Sequence, residues 1–183
     1  MQLKEAIQIC LTYLGDEDAI INTQTAQHPK LKLLVKCANL VIKEIAAEYV
    51  PLIEEETVRV VDSKISFEGL MHKIAEVRKV QDALSGLTSD FYNTPTHCKL
   101  LNDGVKKARI VYSYLPLDID IEDDCPLPPA VGAKTLALGI CAEYSMISGM
   151  YEQSLMYSDR FKQDMRTAVR KKGEIKVKPR RWY

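Results

Sequence analysis

The sequence predicts an α+β protein that is mainly α. It would have a four-helix body (two N-terminal and two C-terminal helices), a small antiparallel β-sheet insertion and an extended C-terminal tail. Three observations predict this. Apolar residues recur at helical spacing near both ends of the chain, while the middle switches to short β-branched runs. Beyond Lys172 the chain alternates apolar and charged residues and finishes Arg180-Arg181-Trp182-Tyr183. The expected division is residues 1–52 and 126–172 for the body, 53–125 for the β-rich insertion and 173–183 for a basic docking tail.

The first helix rests on Leu3, Ile7, Cys10, Leu11 and Leu14, which share one face. Gly15 suits the left-handed position that stops a helix. Residues 16–29 read as a loop, with room for a helical turn within 18–25. The second helix starts after Pro29 and carries Leu31, Leu34, Val35, Ala38, Ile42, Ile45 and Tyr49. Pro51 closes it, because the residue before a proline is pushed out of the helical region.

Strands are expected over 57–61, 64–67, 74–80, 97–101 and 108–115. Asp62-Ser63 reads as a tight turn, and Asn102-Asp103-Gly104 as a hairpin joining the last two strands. Pro128-Pro129 suits a helix start, and residues 130–150 are apolar nearly all round, as for a buried helix. Gly149 breaks it. A further helix is expected over 151–172, stopped by Gly173.

Composition restricts function. Lys plus Arg and Asp plus Glu are both 25, so net charge is zero, unlike a protein whose main partner is bulk nucleic acid. Charge is nonetheless segregated. Acid collects at 118–124 and base at 170–181, which suits contacts between subunits as well as two solvated ends. The five cysteines form no CxxC pair and fit a reducing compartment. The first residues carry Lys4 and Glu5 with no long apolar run behind them. The chain is therefore expected to be soluble and made in a cytoplasm, with no membrane partner.

No catalytic constellation is evident. His28, His72 and His97 are scattered, and Gly132 and Gly139 are not followed by a phosphate-loop Lys-Ser or Lys-Thr. The run Asp118-Ile119-Asp120-Ile121-Glu122-Asp123-Asp124 lacks the glycine and final glutamate of a calcium loop. The expectation is a non-enzymatic protein with no metal and no cofactor.

The tail is the strongest functional signal. Trp182 is the only tryptophan, and Trp, Tyr and Arg are the residues enriched at binding hot spots. Three readings stay open at this point. The tail could add a strand to a partner sheet and plug Trp182 into a pocket, bind nucleic acid by charge and stacking, or fold back on its own domain.

The chain resembles the head–tail adaptor (connector, head-completion) proteins of tailed bacteriophages, including the tail-tubular-A type. The likeness covers the whole chain in architecture. It includes the N-terminal helix ending Leu14-Gly15 and the helix with Asn39, Glu44 and Tyr49. It is most specific in Ala142-Glu143-Tyr144, in Gly149-Met150-Tyr151-Glu152, and in the run from Phe161 to Arg166 that leads into a basic tail. The resemblance implies a structural virion protein made in the host bacterial cytoplasm, forming a ring, usually of twelve copies, between portal and tail. Its partners would be the portal protein, further copies of itself and a downstream tail protein (nozzle or tail completion), with genomic DNA passing through the lumen. Ile175, Lys176, Lys178, Arg180, Arg181, Trp182 and Tyr183 would then grip the portal. Asp118, Asp120, Glu122 and Asp123 would face neighbouring subunits or the tail. The alternative is a nucleic-acid-binding regulator with a helical body and a basic arm.

Overall fold

The computed structural model describes residues 1–16, 28–102 and 104–169. The expected helical turn in 18–25, Asp103, the helix stop at Gly173 and the whole of 173–183 lie outside them.

Helix α1 (Leu3–Tyr13) buries Leu3, Ala6, Ile7, Cys10 and Leu11. It ends as its sequence requires: Gly15 takes φ +78°, and the amides of Gly15 and Asp16 donate back to the carbonyls of Thr12 and Leu11. Helix α2 (Pro29–Glu44) opens with His28, whose ring accepts from the Lys30 amide at 3.3 Å. Its last turn, Ile45–Tyr49, widens to π geometry, closed by the Val50 amide on the Ile45 carbonyl at 2.8 Å. Helix α3 (Ala133–Ile147) buries nine residues and α4 (Tyr151–Val169) only four, Ser154, Tyr157, Phe161 and Met165. So α3 is the hub, and α1, α2 and α4 pack around it.

Helix α3 starts later than the prolines suggest. Pro129 holds Pro128 out of the helical region, and the chain turns through a Val131 amide to Pro128 carbonyl bond before Gly132 caps the helix. Gly132 is therefore a cap and not part of the helix interior. At the other end Gly149 adopts φ +77°, and the amides of Gly149 and Met150 close onto Met146 and Ser145. Gly139 lets α3 approach its neighbours. A Cβ there would stand 2.5 Å from Val41 Cγ1 and 3.2 Å from the Phe161 ring.

The expected fold class needs correction. The β region is not one small sheet inside a four-helix body. Among the described residues there are four α-helices and two three-stranded antiparallel sheets, at 44% helix and 25% strand. The strands are β1 (Leu52–Arg59), β2 (Lys64–Ser66), β3 (Ile74–Asp82), β4 (Phe91–Asn93), β5 (His97–Leu100) and β6 (Lys107–Tyr114). The first sheet has the order β1-β6-β3 and the second β2-β5-β4.

The split has a local cause. Asp62 and Ser63 both take positive φ, 51° and 57°, making a tight turn in which Val61 bridges Lys64. The turn carries the chain off the first sheet. Strand β5 then pairs with β2 and β4 and not with β6, so Asn102-Gly104 connects two sheets and is no hairpin between the last two strands.

The sheets face each other over a second core. Ile65, Cys98 and Leu100 from one meet Val77, Val80, Ala108, Ile110 and Tyr112 from the other. The helical core is separate and includes Ile121 and Cys125 from the chain that returns to α3.

Candidate functional site

Residues 115–125 lead from β6 to α3 as an acidic strap across the helical body. The period-two pattern of Asp118-Ile119-Asp120-Ile121 turns the isoleucines inward and the acids outward. Asn39 of α2 fixes the strap by its backbone. Asn39 Nδ2 donates to the Ile119 carbonyl at 3.0 Å, and the Ile119 amide donates to Asn39 Oδ1 at 2.9 Å. Downstream, the Leu3 amide donates to the Asp123 carbonyl at 3.1 Å and the Cys125 amide to the Met1 carbonyl at 2.9 Å.

The four acids expected to face other proteins have different surroundings. Asp118 pairs with Lys43 of α2, and Glu122 with Lys4 of α1 at 3.4 Å. Asp123 accepts from the Asp120 amide at 2.8 Å and so shapes a turn. Asp118 and Asp120 line an open groove of about 680 Å³ against Lys32, Val35, Lys36 and Asn39. Exposed ion pairs of this kind contribute about 0–1 kcal/mol each. The backbone clamp, not the charges, holds the strap. The tail residues Ile175, Lys176, Lys178, Arg180, Arg181, Trp182 and Tyr183 lie outside the described residues.

The histidines have local roles. His28 caps α2, the His72 ring stacks 4.1 Å from the Tyr114 ring, and His97 Nδ1 lies 2.9 Å from Thr94 Oγ1. All five thiols are buried. Burial pushes Cys37, Cys98 and Cys125 up to about 11, and the hydrogen bond with Cys141 raises Cys10 well above the usual range. These four thiols are protonated at neutral pH. Among the described residues no three His, Cys, Asp or Glu side chains gather as a metal would require. No described helix is long and apolar enough to cross a membrane.

Two apolar surface clusters escaped the sequence reading. In the turn after β3, Leu84 and Leu87 are 83% and 71% exposed. The turn is built to hold them out. Asp82 accepts from the amides of Leu84 and Ser85 and from the Ser85 hydroxyl at 2.6 Å, and Gly86 takes φ +72°. The signal was Asp-Ala-Leu-Ser-Gly-Leu, a turn composition interrupted by two leucines. The second cluster lies at the α3–α4 turn, where Met146, Ile147, Tyr151 and Leu155 are all exposed.

The Tyr49 ring meets the Phe161 ring edge-on at 5.9 Å, so the second half of α4 lies beside the start of the β module. The α3–α4 turn precedes Tyr151, about 15 Å along α4 from Phe161. No family model matches the chain, and no curated protein matches it.

Proposed function

We propose that the protein is a structural virion subunit, a head–tail adaptor that forms a ring between portal and tail, dodecameric in the family it resembles. The observation that best supports this is the pair of exposed apolar clusters, one in the β module and one at the α3–α4 turn. Leu84 and Leu87 crown the β module, and Met146, Ile147, Tyr151 and Leu155 crown the α3–α4 turn. Exposed apolar groups on two separate elements suit a subunit gripped by different neighbours. Residues 173–183 supply the third contact, docking on the portal through Trp182 and Tyr183. The portal, further copies of this chain and a downstream tail protein are the partners of this reading, and DNA traverses the lumen.

The test is capture by isolated portal rings. Deleting residues 178–183 should leave the circular dichroism spectrum unchanged and abolish capture. Unchanged affinity for the portal would remove the tail from the interface. Retardation of duplex DNA that weakens steeply with salt would favour a nucleic-acid-binding regulator instead.

A further inference from the structure

The outward face of the β module carries a row of cations that crosses from strand to strand. In the first sheet Val58, Val60 and Ala108 turn into the core between the sheets. Arg59 of β1 and Lys107 of β6 stand directly opposite in the ladder, so they share the outer face. In the second sheet Ile65, Cys98 and Leu100 turn inward. Lys64 of β2, Lys99 of β5 and Tyr92 of β4 therefore line up across its outer face. The turn at Asp62-Ser63 joins the two halves. Val61 bridges Lys64 across it, and Arg59 and Lys64 border one open groove of about 550 Å³ with Val61, Ser66, Thr96 and His97. The row reads Lys107, Arg59, Lys64, Lys99, Tyr92.

This order works against the fold. Like charges directly opposite in neighbouring strands repel, and Arg59↔Lys107 and Lys64↔Lys99 are both such pairs. None of the four cations has an ion-pair partner among the described residues. Other cations of the module do have one: Arg109 pairs with Glu55 at 3.2 Å and Arg78 with Glu76 at 3.9 Å. Asp62 and Glu68 border the groove too, so the excess of positive charge lies toward Lys99 and Lys107. Lys99 Nζ stands 5.7 Å from the centre of the Tyr92 ring, which is 46% exposed. A ligand bearing a line of negative charges would replace both repulsions with attractions.

The row itself selects the ligand. Its cations recur at the separation of neighbouring strands, about 5 Å, which suits a chain of anions better than one small anion. It ends in an exposed aromatic ring, a face on which an unpaired base can stack. A duplex keeps its bases stacked inside and leaves that ring unused. An acidic polypeptide matches the charges but has no flat ring system to offer. We propose that the outer face of the β module binds single-stranded nucleic acid, with Arg59, Lys64, Lys99 and Lys107 on its phosphates and Tyr92 against a base. The chain as a whole is neutral, so the contact is local, covering a few nucleotides. The site requires neither residues 173–183 nor the adaptor reading.

Fluorescence anisotropy of a labelled oligothymidylate, titrated with the intact chain, tests the site. Affinity should fall with salt at a slope of about −3 in log–log form for four phosphate contacts. Lys64→Thr with Lys99→Thr should weaken binding about tenfold or more and reduce that slope by about 1.4. This variant should not unfold at a lower temperature, because it relieves a repulsion and places β-branched residues in strands. Tyr92→Ala should weaken binding about fivefold or more with the slope unchanged, and Tyr92→Phe should bind as the native chain does. Absence of binding at low salt, unchanged binding by the lysine variant, or equal affinity for a duplex of the same length would each overturn the proposal. Displacement by polyglutamate as effective as by unlabelled oligothymidylate would replace nucleic acid with an acidic protein. Portal capture is measured apart, so the adaptor reading and this one fail separately.

Discussion

The side-chain amide of Asn39 grips the peptide group of Ile119 at both its donor and its acceptor, across 80 residues of sequence. Only an Asn or Gln amide offers a neighbouring donor and acceptor that match a peptide in this way. Asn39 is 9% exposed, so the strap's backbone depends on it. Asn39→Leu should destabilise the protein by about 1–3 kcal/mol, because the Ile119 amide and carbonyl lose their partners. Asn39→Asp should also be destabilising, since it removes the donor and adds an acid beside Asp118 and Asp120. Urea denaturation of both variants measures this. A loss below about 0.5 kcal/mol for Asn39→Leu would show that water replaces the clamp.

Gly139→Ala sets two effects in opposition. Alanine is favoured over glycine in a helix interior by about 1 kcal/mol. The new Cβ would stand 2.5 Å from Val41 Cγ1, and a β-branched side chain in a core has few rotamers to escape into. Overpacking typically costs about 1–3 kcal/mol, so net destabilisation is expected. Adding Val41→Ala should recover part of the loss, with a coupling measurable in a double-mutant cycle.

The β module should lose stability at high pH as Tyr112 ionises. Burial first, and then the hydrogen bond its hydroxyl donates to Glu56, push Tyr112 up to about 12 from 10.0. Glu56 also accepts from the Met71 amide at 3.0 Å, so the carboxylate links β1, β6 and the loop before β3. A raised folded-state value favours the neutral phenol. Its stabilising contribution is complete below pH 10 and is lost as pH rises from 10 through 12. Tyr112→Phe should flatten that loss relative to the native chain. Thermal unfolding followed from pH 9 to 12 checks the sign.

Leu84→Ser combined with Leu87→Ser should leave stability nearly unchanged, because both side chains are already in water. Pull-down with the downstream tail protein should lose at least tenfold in affinity if this turn is a contact. Full retention of binding would assign the turn a solubility cost with no docking role.

The helices were legible because their signals are local. Leu14-Gly15 and Ser148-Gly149 each place the glycine where the left-handed cap needs it, and Pro51 stops the second helix where the strand takes over. The sheets were legible only in part. The run of glutamates at 54–56 hid the first half of β1, since glutamate is depleted in strands. Phe91–Asn93 is too short to show alternation. The division into two sheets depends on Cys98 facing Ile65 and Asn93, and no periodicity encodes that choice of partners. The acidic run was evident as composition, while its anchor Asn39 was not, because one amide in an apolar helix has no pattern to mark it.

Leu52 and Tyr114 are the first and last pair of the β module and sit opposite one another in the same ladder. The two crossings between module and body are therefore side by side, about 5 Å apart at their Cα atoms. A two- or three-residue turn has the span to replace everything between them. Such a join should let the helical core close over Tyr49 and Ile119 without rerouting. The same geometry makes the position a graft site, where a lineage can exchange one outward-facing module for another while the helical body is left as it was.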